Sequence, residues 1–322
     1  MRINRLGDGP IIAASLSETI GTNIQGPSLI AAPPWLDQPL GLYYLYFADH
    51  KGAHIRLAYA DVLTGPWTIY EPGALQLADS CFLTEPPPAT QEQLELLHQR
   101  YRLHFGDYTI EQVMEDALTP HIASPDVHVD LENQQVVMYF HGLDRLGVQS
   151  TRVATSTDGV QFVARPTVLG ASYFRVFEYK NWWYALQMPG LIRRSRTRFD
   201  RFESGPQLFQ PEMRHSAVRR RGDRLDVFWT RAGDAPESIL HSHIDLSADW
   251  MHWTEIETQP VMQPELSWEG SDEPVEPSRR GAVNHRVQQL RDPAVFVEDG
   301  RTYLLYSAAG ESCIGLAEVI DE

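Results

Sequence analysis

Five segments spread along the whole chain repeat one pattern, and few folds accommodate such a repeat. They are "GPSLIAAPPWLDQPLGLYYLYFADH" (26–50), "SPDVHVDLENQQVVMYFHG" (124–142), "SYFRVFEYKNWWYALQMPG" (172–190), "RHSAVRRRGDRLDVFWTRAG" (214–233) and "RDPAVFVEDGRTYLLYSAAG" (291–310). Each runs from a small or polar start through a short apolar strand and a polar turn into an aromatic-rich strand ending near Gly or His. Asn133, Lys180-Asn181, Gly222-Asp223 and Asp299-Gly300 stand in the turns, residue types that suit tight β-hairpins. The stretches 54–70, 150–166, 190–206 and 238–256 each add a third strand, a turn and an aromatic (Trp67, Phe162, Phe202 or Trp253) near the start of a fourth strand. Four-stranded units repeated around an axis, each burying its faces on its neighbours, make a β-propeller. The expected fold is therefore all-β, a five-bladed β-propeller of four-stranded antiparallel blades, one domain over 1–322 with blades at about 26–80, 121–167, 170–210, 212–262 and 290–320.

The fifth unit ends after its third strand, "SCIGLAEV" (312–319), and an unpaired edge invites aggregation. The N-terminal segment, residues 10–16, is expected to supply the missing outer strand and close the ring. Two insertions break the spacing. Residues 90–118 predict a small helical insertion of two helices, with capping-box patterns at Thr90–Gln93 and Thr109–Gln112. Residues 263–290 show no period and are dense in Pro, Gly and charge, the mark of a functional loop.

Composition narrows the partners. A chain of 322 residues buries a full core without staples, and Cys81 and Cys313 match no metal spacing, so reduced structural thiols are expected. The first twenty residues hold no apolar run long enough for a signal core or a membrane span, which suggests a cytoplasmic protein. A net charge of −16 repels phosphate backbones and anionic lipid, so neither nucleic acid nor membrane is an expected partner.

In a propeller the first strand of every blade is innermost, so five distant strand starts converge on one end of the axis. These are Asn23 to Gln25, His121 to Asp126, Ser172 to Arg175 (with Tyr173), Arg214 to Ser216, and Arg291 to Asp292. Charge gathered at an axis is costly unless paired, which marks the convergence as a candidate site. Blander readings stand beside it: an Asp next to Pro caps turns, a buried His satisfies a core hydrogen bond, and "RRSRTR" (193–198) reads as a solvated face.

"ASPDV" (123–127), "RDPAVF" (291–296), "LTGPW" (63–67) and "STDGVQF" (156–162) resemble the five-bladed propellers of glycoside hydrolase family 43 and its relatives. The resemblance implies glycosidic bond cleavage, inverting, by an Asp base on the first blade, an orienting Asp on the second and a Glu acid on a later one. It carries the orienting role onto Asp126, while the "RDP" around Asp292 resembles the base motif but stands in the fifth blade. The first blade has Gln25 and Gly26 where the base is expected, and the third-blade start, "GASYFRVF", has no Glu. "RHSAV" (214–218) resembles both the His acid of family 117 and the strand that bears an axial calcium-associated His in family 43. No cofactor is expected to be required, with an axial calcium or other ion near His215 as the one candidate.

Inverting cleavage needs a group to protonate the leaving oxygen and another to activate water. Asp292 is the expected base, kept ionised by Arg291 or another cation. Glu269, Asp272 and Glu273 on the "WEGSDEP" loop, or His215, are the competing acids. Trp268 is placed either to stack on a pyranose ring or to pin its loop. Asn23, Gln25, His121, Tyr173, Arg175, Arg214, Asp272 and Arg291 are the expected substrate contacts, and the arginines would suit an acidic sugar. The expected ligand is a small oligosaccharide or glycoside. A carbohydrate-binding propeller without turnover, and a protein-interaction propeller, are the alternatives.

Overall fold

Alternation along single strands builds the ring. In Tyr43–Ala48, Tyr44 and Tyr46 pack toward one neighbouring blade while Leu45 and Phe47 pack toward the other, and all four are buried. Each sheet thus feeds two apolar interfaces. Five hydrophobic clusters result, one at each junction between consecutive blades. Trp67, Phe162, Phe202 and Trp253 are each buried in these junctions or beside them. The computed structural model describes residues 1–105 and 108–321.

The five sheets are antiparallel and ordered from the axis outward. Blade one comprises Gln25–Ala31, Tyr43–Ala48, His54–Ala60 and Thr68–Gln76. Blade two comprises Ile122–Asp130, Gln135–Arg145, Val148–Ser156 and the short Val163–Ala164, with Gly170–Ala171 on the same edge. Blade three comprises Phe174–Tyr179, Trp182–Gln187, Leu191–Ser195 and Glu203–Gln207. Blade four comprises Met213–Arg221, Arg224–Arg231, Ile239–Asp245 and Ile256–Met262. Blade five comprises Arg291–Glu298, Arg301–Ala308 and Cys313–Ile320. Positive φ at Gln134, Lys180, Asn181, Gly222, Asp299 and Gly300 marks the hairpin turns.

The N-terminal segment does close the fifth blade, but the residues differ from the expected 10–16. Arg2–Arg5 forms the main outer strand, with Ile3 opposite Val319 and Arg5 opposite Ala317. Of the predicted stretch only Ile12–Ala13 pairs, further along the same edge, and Ala14–Leu16 turns away as a 3-10 helix. Both chain ends therefore sit in one blade.

The helical insertion has the expected form. Helix α1 spans Gln91–Phe105 and helix α2 spans Ile110–Leu118, and both capping boxes are made, at Thr90–Gln93 and Thr109–Gln112. Residues 106–107 of the predicted insertion, and residue 322, lie outside the described residues.

Candidate functional site

The inner strands start with a bulge, and the bulge decides which side chains face the axis. Register shifts fall between Gln25 and Ser28, Ala123 and Asp126, Met213 and Ser216, and Arg291 and Ala294. Gly26, Ser124 and Asp292 occupy the same place in their bulges, each followed by Pro and each at positive φ (63°, 51° and 45°). Asp292 thus corresponds to Ser124, not to Asp126, which lies beyond the bulge in the row of Ser28, Ser216 and Ala294. In blade one the place is tight for a side chain, because at φ 63° a Cβ on Gly26 would lie 3.0 Å from Ser124 Cα and Ser124 would have to give way. Gly26 itself offers no carboxylate there.

A cavity of about 430 Å³ opens at this end of the axis. Its walls carry Gln25, Ser124, Tyr173, Arg214 and His215 from the strand starts, and His50 and His141 from the ends of second strands. Leu97, Arg100, Tyr101 and Asp116 of the helical insertion roof it, and Arg280 and Gly281 enter from the long loop. Lys51 binds Asp116 at 2.8 Å and ties the roof to blade one. The rings of His121, His141, Tyr173 and His215 follow one another along the wall at 6.0, 6.4 and 5.3 Å.

Beneath the floor lies a buried charge network. Arg291 is fully buried and bonds Gln289, Glu311 Oε1 (2.9 Å) and the carbonyls of Arg279 and Gly281, with Glu237 Oε2 at 3.2 Å. Arg214 Nη1 bonds Glu237 Oε2 and Arg279 O. Asn23 donates to Glu311 Oε2 (2.8 Å) and accepts from the His50 N–H. Two histidine–carboxylate pairs emerge from it into the cavity. His50 Nδ1 is 3.4 Å from Glu311 Oε2, and His215 Nδ1 is 3.4 Å from Asp292 Oδ1 and from the Asp292 N–H.

Electrostatics separate the members. Burial, reinforced by Arg214 and Arg291, holds His215 well below its ordinary value, so it is neutral. Burial and the nearby Glu311 push Asp292 up, and neither of its oxygens has a hydrogen-bond partner among the described residues. Burial opposes ionisation of Glu311 too, but His50, Arg291 and Asn23 outweigh it and hold that carboxyl down. A cation is poorly suited beside His215, since Arg214, Arg291 and Arg175 all place positive charge on it. Among the described residues, no group of three or more His, Cys, Asp or Glu side chains is arranged to hold a metal ion.

Several residues expected in one pocket are elsewhere. Asp126 lines a second cavity of about 350 Å³, formed by the middle and far ends of the inner strands, together with His128 and Arg175. Its Oδ2 accepts from Val176 N (2.8 Å) and His128 Nε2 (2.9 Å). Arg175 is spent on backbone carbonyls and Tyr173 Oη. Glu269 is fully buried on blade five, held by Arg5, Tyr306 Oη and the N–H groups of Glu265 and Leu266. Trp268 stacks on Tyr306 at 6.2 Å, so it pins its loop. Asp272 accepts from Ser267 Oγ and Glu273 from Arg286, and neither lines the cavity. His121 stands behind His141 with Nδ1 2.8 Å from Thr119 O, and Asp292 and Arg291 lie beneath the floor.

The functional candidates missed by sequence reasoning are His50, His141, Glu311 and the roof residues. A signal existed for the first two, since the second strands of blades one and two end in "ADH" and "FHG".

No family model matches the sequence. An uncharacterized protein of Acanthamoeba polyphaga mimivirus is 32% identical over 324 residues, covering 92% of this chain and 83% of that protein. Among solved structures, the chain is similar to a family 43 glycoside hydrolase from Xanthomonas citri at TM-score 0.57 and 11% identity, covering 98% and 90% of the two chains. It is similar to a family 43 β-xylosidase/α-arabinofuranosidase from a compost microbial metagenome at TM-score 0.56 and 10% identity, covering 99% and 96%. An N-acetylgalactosamine deacetylase from F. plautii, in complex with blood group B trisaccharide, aligns at TM-score 0.59 and 12% identity, covering 98% and 95%. At such identities the likeness is one of fold, and it is the fold of family 43 propellers.

Proposed function

The chain belongs to the family of that uncharacterized mimivirus protein, and from its own axial cavity we propose that it hydrolyses the glycosidic bond of a small glycoside or oligosaccharide with inversion. The observation that carries this reading is the pair of histidines on the cavity wall, His215 backed by Asp292 and His50 backed by Glu311. The Asp292 N–H donates to His215 Nδ1, so the neutral ring carries its proton on Nε2; the base role requires that proton to move to Nδ1, beside Asp292 Oδ1, which frees the Nε2 lone pair for water. His50, facing the ionised Glu311, supplies the proton. The water oxygen bonds the anomeric carbon as the glycosidic C–O bond breaks, the water proton passes to His215, and the His50 proton passes to the leaving oxygen. The reading is one of direct displacement without a covalent intermediate, since among the described residues the one carboxylate lining the cavity, Asp116, is paired with Lys51. Histidines thus take the two roles that the resemblance assigned to carboxylates, and His215 serves as base rather than acid. The xylotriose complex of the Xanthomonas citri enzyme and the trisaccharide complex of the deacetylase support a sugar as ligand of this fold.

A panel of aryl glycosides and short oligosaccharides, followed by reducing-end release, tests the proposal. Turnover by the native protein with at least one substrate, falling about 10²-fold or more in His215→Asn with the melting temperature retained, is the expected result. Turnover unchanged in that variant overturns it. Saturable sugar binding without release across the panel would favour the second reading, a carbohydrate-binding propeller, for which a Gly in place of a carboxylate at position 26 of blade one speaks.

A further inference from the structure

Blade three begins with a bulky residue in a strained conformation. Gly26, Ser124 and Asp292 enter their blades at positive φ, and Tyr173 enters blade three the same way, at φ 63°. A large aromatic in that region is an outlier that persists only where its surroundings hold it, and such residues gather at functional sites. Tyr173 is buried and lines the axial cavity. Arg175 holds it: Nη2 donates to Tyr173 Oη at 2.9 Å, and the guanidinium carbon lies 4.2 Å from the ring centroid. Arg175 is itself anchored by Nε on Ser216 O (2.9 Å) and Nη1 on Phe174 O (3.1 Å). The ring so fixed stands against His215, with centroids 5.3 Å apart and planes tilted by 35°.

His215 needs such a support. Its Nδ1 lies 3.4 Å from both the Asp292 N–H nitrogen and Asp292 Oδ1, at the weak end of hydrogen bonding. The outer torsion of a histidine is intrinsically broad, so contacts this long do little to stop the imidazole turning and carrying Nδ1 away from Asp292. We propose that Tyr173 is a positioning residue whose ring fixes the imidazole plane of His215 and keeps Nδ1 on Asp292. Its consequence for catalysis rests on the glycoside reading, in which the proton of His215 must move to Nδ1; the positioning itself does not. Arg175, which the sequence marks for an acidic sugar, acts instead through Tyr173.

NMR of the protein labelled with nitrogen-15 in its histidines tests the proposal without a substrate, with His215→Asn assigning the resonances. The expected native signal is a single tautomer, Nε2 protonated and Nδ1 bare, with Overhauser contacts between the His215 and Tyr173 ring protons. Tyr173→Phe, which keeps the ring, should preserve that signal, whereas Tyr173→Leu should give nitrogen shifts averaged between the two tautomers. With a glycoside that is turned over, kcat should fall about tenfold or more in Tyr173→Leu and less than about threefold in Tyr173→Phe. Unchanged His215 shifts in Tyr173→Leu overturn the inference and leave the glycoside reading standing. The expected shifts without turnover of any glycoside by the native protein uphold the positioning and contradict hydrolysis. Should Tyr173→Leu fail to fold, the native protein decides, since averaged tautomers or no Overhauser contact with Tyr173 overturn the inference.

Discussion

Glu269 shows how far one side chain can depart from the role its neighbours suggest. In "WEGSDEP" it reads as a loop carboxyl free to descend over a pocket; in the fold it is fully buried, with both oxygens on Arg5 and further bonds from Tyr306 and two backbone N–H groups. Breaking a buried pair leaves an uncompensated charge. Glu269→Gln is expected to lower the unfolding free energy by about 2–4 kcal/mol in urea titration while leaving turnover of any substrate unchanged. A loss of activity at constant stability would return Glu269 to the site. The aspartates teach a related lesson. "SPD" and "RDP" look alike, but the bulge aligns their prolines, Pro125 and Pro293, so Asp292 matches Ser124 and Asp126 falls in the other cavity. Gly26-Pro27 carries the same Gly/Ser/Asp-Pro step, and that shared proline was the signal the sequence did hold. Glu311 had none, because its partners Asn23, His50 and Arg291 are distant in the chain and meet only once the ring closes.

At the scale of elements, local chemistry was enough wherever local chemistry decides. Hairpin turns, both capping boxes and the aromatics at blade junctions follow from residue type and spacing, and all are present. The closing strand was not legible. "RINR" is short and polar, and nothing within it requires a strand; it becomes one because Cys313–Ile320 offers an unpaired edge and Arg5 reaches Glu269. The apolar "PIIAASL" looked the better strand, yet only Ile12 and Ala13 pair. The roof escaped prediction for the same reason. Its two helices could be read from the sequence, but that Arg100 and Asp116 line the axial cavity depends on where the insertion packs, which tertiary contacts such as Lys51–Asp116 determine.

The whole molecule couples its site to pH. His121, His141 and His215 are buried along one wall and held neutral; burial, with Lys51 as the next contributor, brings His121 down to about 3. A histidine whose folded value is depressed contributes stability above its unfolded value near 6.5, and loses it as pH falls, because the unfolded chain then binds the extra proton. Asp292, pushed up, works in the opposite sense and partly offsets this. Between pH 7.5 and 5.5 the three histidines together lose about 4 kcal/mol and Asp292, raised to about 7, returns about 2, so the expected outcome is a net loss of about 2 kcal/mol in unfolding free energy, measured from urea midpoints, with the loss reduced by more than half in His121→Gln. Equal midpoints at the two pH values would mean that these rings are solvated or already charged.

Five blades, a helical roof and a loop bring His50 and His215 to one cavity, and hydrolysis of a glycoside there is the claim on which the rest depends. A crystal of the His215→Asn variant soaked with the best-cleaved substrate tests it most directly. The account predicts a sugar seated beneath α1, with its glycosidic oxygen within hydrogen-bond reach of His50 and a water beside position 215. A sugar found instead in the cavity of Asp126 and His128, with the axial cavity empty, would contradict it.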